Sequence, residues 1–233
     1  MLSADDHHIV GSACHHCELS SKCLLHLAVK KTKHLTIKRQ LMEAGTVLSK
    51  SSQSSDYLYI VQSGSFKHAT VTFDGNEQVA DFYLPGDIIG LDSLGTEQLY
   101  DLTALEPSHA CAIEFKELET LAKNQSWLSQ KLMRLLSQKL LSRTAALLIQ
   151  HQHAEQKLAA FLLNISTRLQ KIGHASRSYN LTMSRQEIGN YLHLSTETVS
   201  RIFSKFQGER LIDVQKKHVF LRDIKRLNAK VAH

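Results

Sequence analysis

The spacing of apolar positions changes its period along the chain. Between residues 35 and 115, short β-branched and aromatic runs alternate with Gly-bearing turns: "TVLSK", "DYLYIVQSG", "FKHATVTFDGNEQVADFYLPGDIIG" and "HACAIEF". A period of two sends successive side chains to opposite faces of a strand, and a series of such runs predicts an antiparallel roll or jelly roll. Asp74-Gly75 in "FDGNEQ" supplies the turn chemistry of a tight hairpin. From about Gln125 to His151 the texture becomes helical. "QSWLSQKLMRLLSQKLLSRTAALLIQH" has no Gly or Pro and is rich in Leu, Gln, Lys and Ala, which predicts one helix of about seven turns.

Within that helix Ser129, Met133, Leu136, Leu140, Arg143 and Leu147 follow one another at steps of 4, 3, 4, 3 and 4, a heptad seam. A seam between two domains predicts a two-stranded coiled-coil dimer interface, the alternative being a helix buried in its own chain's core.

The segment "LTMSRQEIGNYLHLSTETVSRIFSKFQGERLI" carries two further helices. Ser184 with Glu187 makes a capping box that opens the first. "HLS" forms a short turn, and Ser195 caps a second helix running to about Gln207, with Gly208 as its C′ residue. Ile188, Leu192, Leu194, Val199, Ile202 and Phe206 supply the apolar faces that lock the pair, so the segment reads as a helix-turn-helix. "LIDVQKKHVFLRD" behind it reads as strand, basic turn, strand, a wing whose Lys216 and Lys217 can reach phosphate. The second helix would enter the major groove N-terminus first. Glu197, Ser200 and Arg201 share one face at its leading end, where Arg can fork onto guanine, Glu can accept from the cytosine amino group, and Ser can meet a base or a phosphate. Ser184, Thr196 and Thr198 stand beside them as candidate DNA contacts. The fold class is therefore α+β: an N-terminal antiparallel β-roll, a long dimerisation helix and a C-terminal winged helix-turn-helix. The expected divisions fall at 1–28 (a cysteine-rich head), 29–121 (roll), 122–153 (dimerisation helix) and 154–233 (DNA-binding domain).

Charge sharpens that picture. The 233 residues carry a net +6, yet residues 152–233 hold 14 Lys+Arg against 6 Asp+Glu, a balance of +8, while residues 1–151 hold 14 against 16, a balance of −2. A basic domain on a near-neutral body fits a polyanion such as double-stranded DNA. No apolar run approaches the ~20 residues needed to cross a bilayer, and the first 30 residues lack a signal-peptide core, so the cytoplasm is the expected compartment. No nucleophile–base pair or phosphate loop has convincing spacing, which argues against an enzyme.

Three of the four cysteines, Cys14, Cys17 and Cys23, fall within "SACHHCELSSKC"; the fourth, Cys111, lies on a roll strand. In a reducing compartment such a group points to metal or redox chemistry rather than disulfides. Four thiolates complete the ligand set of a cubane, and none is left over. Zinc, with His15 and His16 as possible ligands, and free or redox thiols are the alternatives. Otherwise His7, His8, His15, His16 and His26 read as solvated.

Roll, long helix and winged helix-turn-helix in this order resemble the CRP/FNR superfamily of bacterial transcription regulators. "STETVSR" resembles the Glu-x-x-Ser-Arg recognition signature of its FNR subgroup, which implies a palindrome of TTGAT-type half-sites. Cys14-x2-Cys17-x5-Cys23 with Cys111 is similar to the ligand set of that subgroup's oxygen-labile 4Fe-4S cluster. The resemblance implies a homodimer acting with RNA polymerase. In the FNR family an acidic residue stands where this chain has Arg143. Arg143 either brakes dimerisation by repelling its copy across the two-fold axis, or snorkels or pairs with a partner carboxylate. The CRP branch holds cAMP through an Arg followed by Ser or Thr in the roll, with a Glu after the first Gly. Here Asp87 follows Gly86, and no Lys or Arg occurs between Lys67 and Lys116, so no cyclic nucleotide is expected.

Overall fold

The computed structural model describes residues 7–10, 14, 17–32, 35–49, 56–73, 75–91, 100–149 and 152–232. In chain order the elements are β1 (His7–Val10), α1 (Leu24–Thr32), β2 (Thr36–Met42), β3 (Val47–Ser49), β4 (Tyr57–Ser63), β5 (Phe66–Val71), β6 (Glu77–Tyr83), β7 (Ile88–Ile89), β8 (Asp101–Ala104) and β9 (Ser108–Glu114). Then come α2 (Phe115–Asn124), α3 (Ser126–Ile149), α4 (Ala154–Lys171), β10 (Ser178–Asn180), α5 (Arg185–Leu192), α6 (Thr196–Gly208), β11 (Ile212–Gln215), β12 (His218–Leu221) and α7 (Ile224–Ala232). The chain divides into two compact units, Met1–Val71 with Ala80–Lys139 and Thr72–Val79 with Leu140–His233.

The strands expected between residues 35 and 115, joined at one edge by β1, form two sheets, ordered β1-β2-β9-β4-β7 and β3-β8-β5-β6. β4 shows how the roll is filled. Its Leu58 and Ile60 join Leu24, Leu25 and Ala28 of α1, Leu118 of α2 and Leu128 of α3 in one core. Its Tyr59 and Val61 point the other way, into a second core with Phe66, Tyr83, Leu102, Ala104 and Ala112. A strand covered on both faces reads as a nearly continuous apolar run, which is what "YLYIV" is. The hairpin between β5 and β6 turns through Gly75, at φ +77°, whose N–H donates to Thr72 O at 2.9 Å. Its other expected turn residue, Asp74, lies outside the described residues.

The head is more structured than its sequence announced. β1 adds an edge strand to β2, with His7 opposite Arg39 and Val10 opposite Thr36. α1 sinks Leu24 and Leu25 into the first core, each worth about 1.5–3 kcal/mol of burial. That burial fixes the cysteine-bearing loop against the sheet.

α3 begins one residue later than the expected Gln125 and runs to Ile149; residues 150 and 151 lie outside the described residues. Ser129, the first residue of the spaced series, donates its hydroxyl to Ala122 O at 2.7 Å and ties α3 to the end of α2. The apolar seam positions beyond it are open to solvent in the single chain: Met133 is 68% exposed, Leu136 43%, Leu140 69% and Leu147 60%. Lys139 lies between them in sequence and fixes the helix's rotation. Its Nζ meets Asp81 Oδ2 at 2.9 Å and Tyr83 OH at 3.2 Å.

In the second unit, α4 to α7 pack with the sheet β10-β12-β11. α6 runs through Gly208 instead of stopping before it. The left-handed residue is Arg210, at φ +55°, and Arg210 N–H donates to Gln207 O while Leu211 N–H donates to Phe206 O, both at 2.9 Å. That is a Schellman closure two residues late, drawn there by Leu211, which is fully buried.

Candidate cluster site and nucleic-acid interface

The loop before α1 is wound into consecutive turns. Ser20 N–H donates to Cys17 O at 2.9 Å, and Lys22 and Cys23 N–H both donate to Leu19 O, at 3.0 and 2.9 Å. Buried Leu19 anchors the winding. Cys23 stands at the mouth of α1, where Leu27 N–H reaches its carbonyl and the amides of Leu25 and His26 point at its sulfur. Cys14, Cys23 and Cys111 pack against the same apolar core. Gln62 donates its side-chain N–H to Cys17 Sγ at 3.8 Å.

Register explains the fourth thiol. On β9, Cys111 faces Arg39 of β2 on one side and Ile60 of β4 on the other. Side chains at i and i+2 share a face, so Ile37, Leu58, Ile60 and Ile113 form an apolar floor that grades into the polar row Arg39, Cys111, His109 and Gln62. Burial pushes the Cys111 thiol up to about 12, Cys23, Cys14 and Cys17 push the same way, and Arg39 opposes them. Burial also raises Cys14, followed by Cys23 and Cys17. The mutual influence places all four thiols in one neighbourhood, none of them in a disulfide. They are not drawn into a closed ligand shell: among the described residues no three Cys, His, Asp or Glu side chains could share a metal ion. In chemistry and number the donors nonetheless fit a four-thiolate group, since a central cation would offset the burial, and after it the mutual repulsion, that raises Cys14, Cys23 and Cys111.

His26 departs from the solvated role expected of it. Half-buried, it places Nδ1 3.1 Å from Cys14 O, so a proton on that nitrogen donates to the carbonyl and ties α1 to the loop. His15 and His16, the ligands of the zinc alternative, lie outside the described residues.

In the second unit the capping box is formed as expected. Ser184 Oγ accepts from Glu187 N–H at 3.1 Å, and Glu187 accepts from Ser184 N–H at 2.8 Å. Ser195 Oγ accepts from Thr198 N–H at 3.1 Å and donates to Thr198 Oγ1 at 2.9 Å, so Thr198 is engaged in the cap. Ile188, Leu192, Val199, Ile202 and Phe206 are buried, and Leu194 is half-buried in the turn. Thr196, Glu197, Ser200 and Arg201 are exposed along α6, as is Ser184 at the start of α5. Ser200 donates to Thr196 O at 2.9 Å, which leaves its oxygen lone pairs for an incoming donor. The wing is the hairpin of β11 and β12, with Gln215 opposite His218, and Lys216 and Lys217 at its exposed tip.

Four further residues, absent from the sequence expectations, hold this pair of helices. The turn enters the left-handed region at His193, φ +54°, and Leu194 N–H closes onto Gly189 O at 2.8 Å. A Cβ on Gly189 would meet Leu194 O at 2.6 Å, so only glycine lets the turn lie this close. Lys157 of α4, 8% exposed, donates to Leu192 O at 3.3 Å and satisfies a carbonyl at the end of α5. Arg185 stacks its guanidinium 3.2 Å from the Phe203 ring centre, joining α5 to α6, and burial lowers its pKa to about 10. The only available signals were a glycine inside a helical pattern and a lysine on an apolar face.

The sequence profile of the Crp-like helix-turn-helix domain matches residues 156–230, and that of the cyclic nucleotide-binding domain matches residues 39–125. The chain is 33% identical over 221 residues to the Electron transport regulator A of Shewanella oneidensis, covering 92% of this chain and 88% of that one. It is 33% identical over 226 residues to the Fumarate and nitrate reduction regulatory protein of Salmonella typhimurium, covering 94% and 90%. The solved structure of FixK2 from Bradyrhizobium japonicum superposes with a TM-score of 0.78 at 25% identity, over 85% of this chain and 99% of that one. These likenesses run through roll, long helix and winged helix-turn-helix alike, and the chain belongs to the FNR group of the CRP/FNR superfamily of bacterial transcription regulators.

Proposed function

We propose that this regulator is a homodimer that reads FNR-type palindromic DNA, acts in the cytoplasm with RNA polymerase, and is switched by an oxygen-labile 4Fe-4S cluster held by Cys14, Cys17, Cys23 and Cys111. The observation that carries the proposal is the convergence of all four thiols on one corner of the roll, from a wound loop and from a strand more than 80 residues away. When bound, such a cluster supplies a centre that oxygen can destroy. The chain's own part is to place the donors. α1 fixes Cys23, the turns fix Cys17, and β9 fixes Cys111 over the apolar floor.

The exposed stripe Met133, Leu136, Leu140 and Leu147 with half-buried Arg143 is the seam that a second copy covers, because an apolar row of this length gains from burial only against a partner. Two copies present two α6 helices to successive major grooves, about one helical turn apart. Arg201 and Glu197 read base edges there. Ser184, Thr196, Thr198, Lys216 and Lys217 hold phosphates, and Ser200 meets base or phosphate. The roll has no cation between Lys67 and Lys116, so it is not a cyclic-nucleotide receptor despite its domain type.

The test is metal content. Protein purified without oxygen should hold about four iron and four sulfide per chain, and Cys111→Ser should lose both as completely as Cys17→Ser. A Cys111→Ser protein that keeps its full iron and sulfide would overturn the ligand set, and stoichiometric zinc without sulfide would overturn the cluster.

A further inference from the structure

The sheet face under the cysteines carries a cation, Arg39, in register with Cys111. Arg39 projects from β2 beside Cys111, in register, on the side where Ile37 begins the apolar floor. It is half-buried, and its Nε is shielded from solvent with no hydrogen-bond partner among the described residues. Leaving a buried guanidinium N–H unsatisfied is costly, so its retention in the floor of a site points to a ligand that it faces. On β4, Gln62 shows the same signature: its amide N–H points at Cys17 Sγ, and its Oε1 is buried without a partner among the described residues.

We propose that Arg39 is the built-in counter-charge of the cysteine site, a positioning residue that faces the thiolates and sets the reduction potential and retention of the group they hold. The inference rests on the cluster reading above. Four thiolates around a cubane leave a net charge of about −2 in its oxidised form, and burying that charge against Ile60, Ile113 and α1 requires compensation. Arg39 supplies one unit directly beside the ligand from the roll. Lys22 and Glu18, the charged neighbours of Cys23 and Cys17 in the loop, are exposed and opposite in sign, so solvent screens them and they offset each other. Compensation strengthens as the site gains an electron, so the cation favours the reduced form.

Wild type, Arg39→Met and Arg39→Lys are purified without oxygen, assayed for iron and sulfide, and titrated optically against redox mediators. Arg39→Met should disfavour the reduced state by about tenfold, a fall of about 59 mV for one electron, and should release iron to a chelator several-fold faster under nitrogen. Arg39→Lys should keep both values near wild type, because it keeps the charge. Should Arg39→Met fail to fold, Arg39→Gln, which keeps an N–H donor and loses the charge, is expected to show the same fall. A loaded wild type whose neutral Arg39 variants keep its potential and its iron-release rate overturns this inference and leaves the cluster reading standing. A wild type without iron and sulfide overturns both.

Discussion

Replacing Gly189 with alanine should damage this protein although alanine is the better helix former. In an open helix interior the exchange stabilises by about 0.5–1 kcal/mol. At Gly189 the new methyl would sit 2.6 Å from Leu194 O, where ordinary contacts begin at 3.4 Å, and the opposing atom is backbone that Leu194 N–H already locks to Gly189 O. Forcing a methyl into such a site costs about 1–3 kcal/mol against that gain, so the net loss reaches about 2.5 kcal/mol at the upper end. For a unit of roughly 100 residues that is a fall in melting temperature of about 4–8 °C per kcal/mol. Relief would tilt α6 against α5, so affinity for a palindromic site should fall more than affinity for random duplex. Circular dichroism melts and titrations on both duplexes measure the two effects. Gly208→Ala is the control: a Cβ there has nothing within 4 Å, and that variant should melt at or slightly above wild type. A Gly189→Ala protein that melts as high as Gly208→Ala and binds its site normally would refute the steric reasoning.

Other substitutions probe the DNA face and the seam. Arg201→Ala should cost about 1–3 kcal/mol on a cognate site and flatten base preference at one position. Alanine at Lys216 or Lys217 should weaken all sequences alike and shallow the salt dependence; an equal loss on cognate and random duplex for Arg201→Ala would count against base reading. Arg143→Leu makes the seam continuous from Met133 to Leu147, so metal-free Arg143→Leu should dimerise at lower concentration than metal-free wild type in sedimentation. Identical association curves would remove Arg143 from the interface.

The elements with strong local signals were legible in the sequence. Alternation gave the strands of the roll, the run without Gly or Pro gave α3 to within about two residues, and the two serine caps marked α5 and α6 at the residues that now cap them. Signals that depend on the fold were not. β1 forms only because β2 offers an edge, and α1 is held by Leu24 and Leu25 reaching a core assembled from strands far along the chain. The end of α6 moved past Gly208 because buried Leu211, not glycine, decides where the chain turns. The cysteines could be counted in the sequence, but Arg39 could not be placed beside Cys111 without the register of β2 on β9, nor Lys157 beneath α5 without the packing of α4.

The most direct test of the switch is one DNA titration performed twice on the same preparation. Protein purified without oxygen is measured on a palindrome of TTGAT-type half-sites under nitrogen, with iron and sulfide counted in parallel, and measured again after exposure to air. A tight dimeric complex is expected while iron and sulfide are present, with loss of both the complex and the cluster in air. Equal affinity before and after exposure, or tight binding by protein that holds no iron, would contradict it.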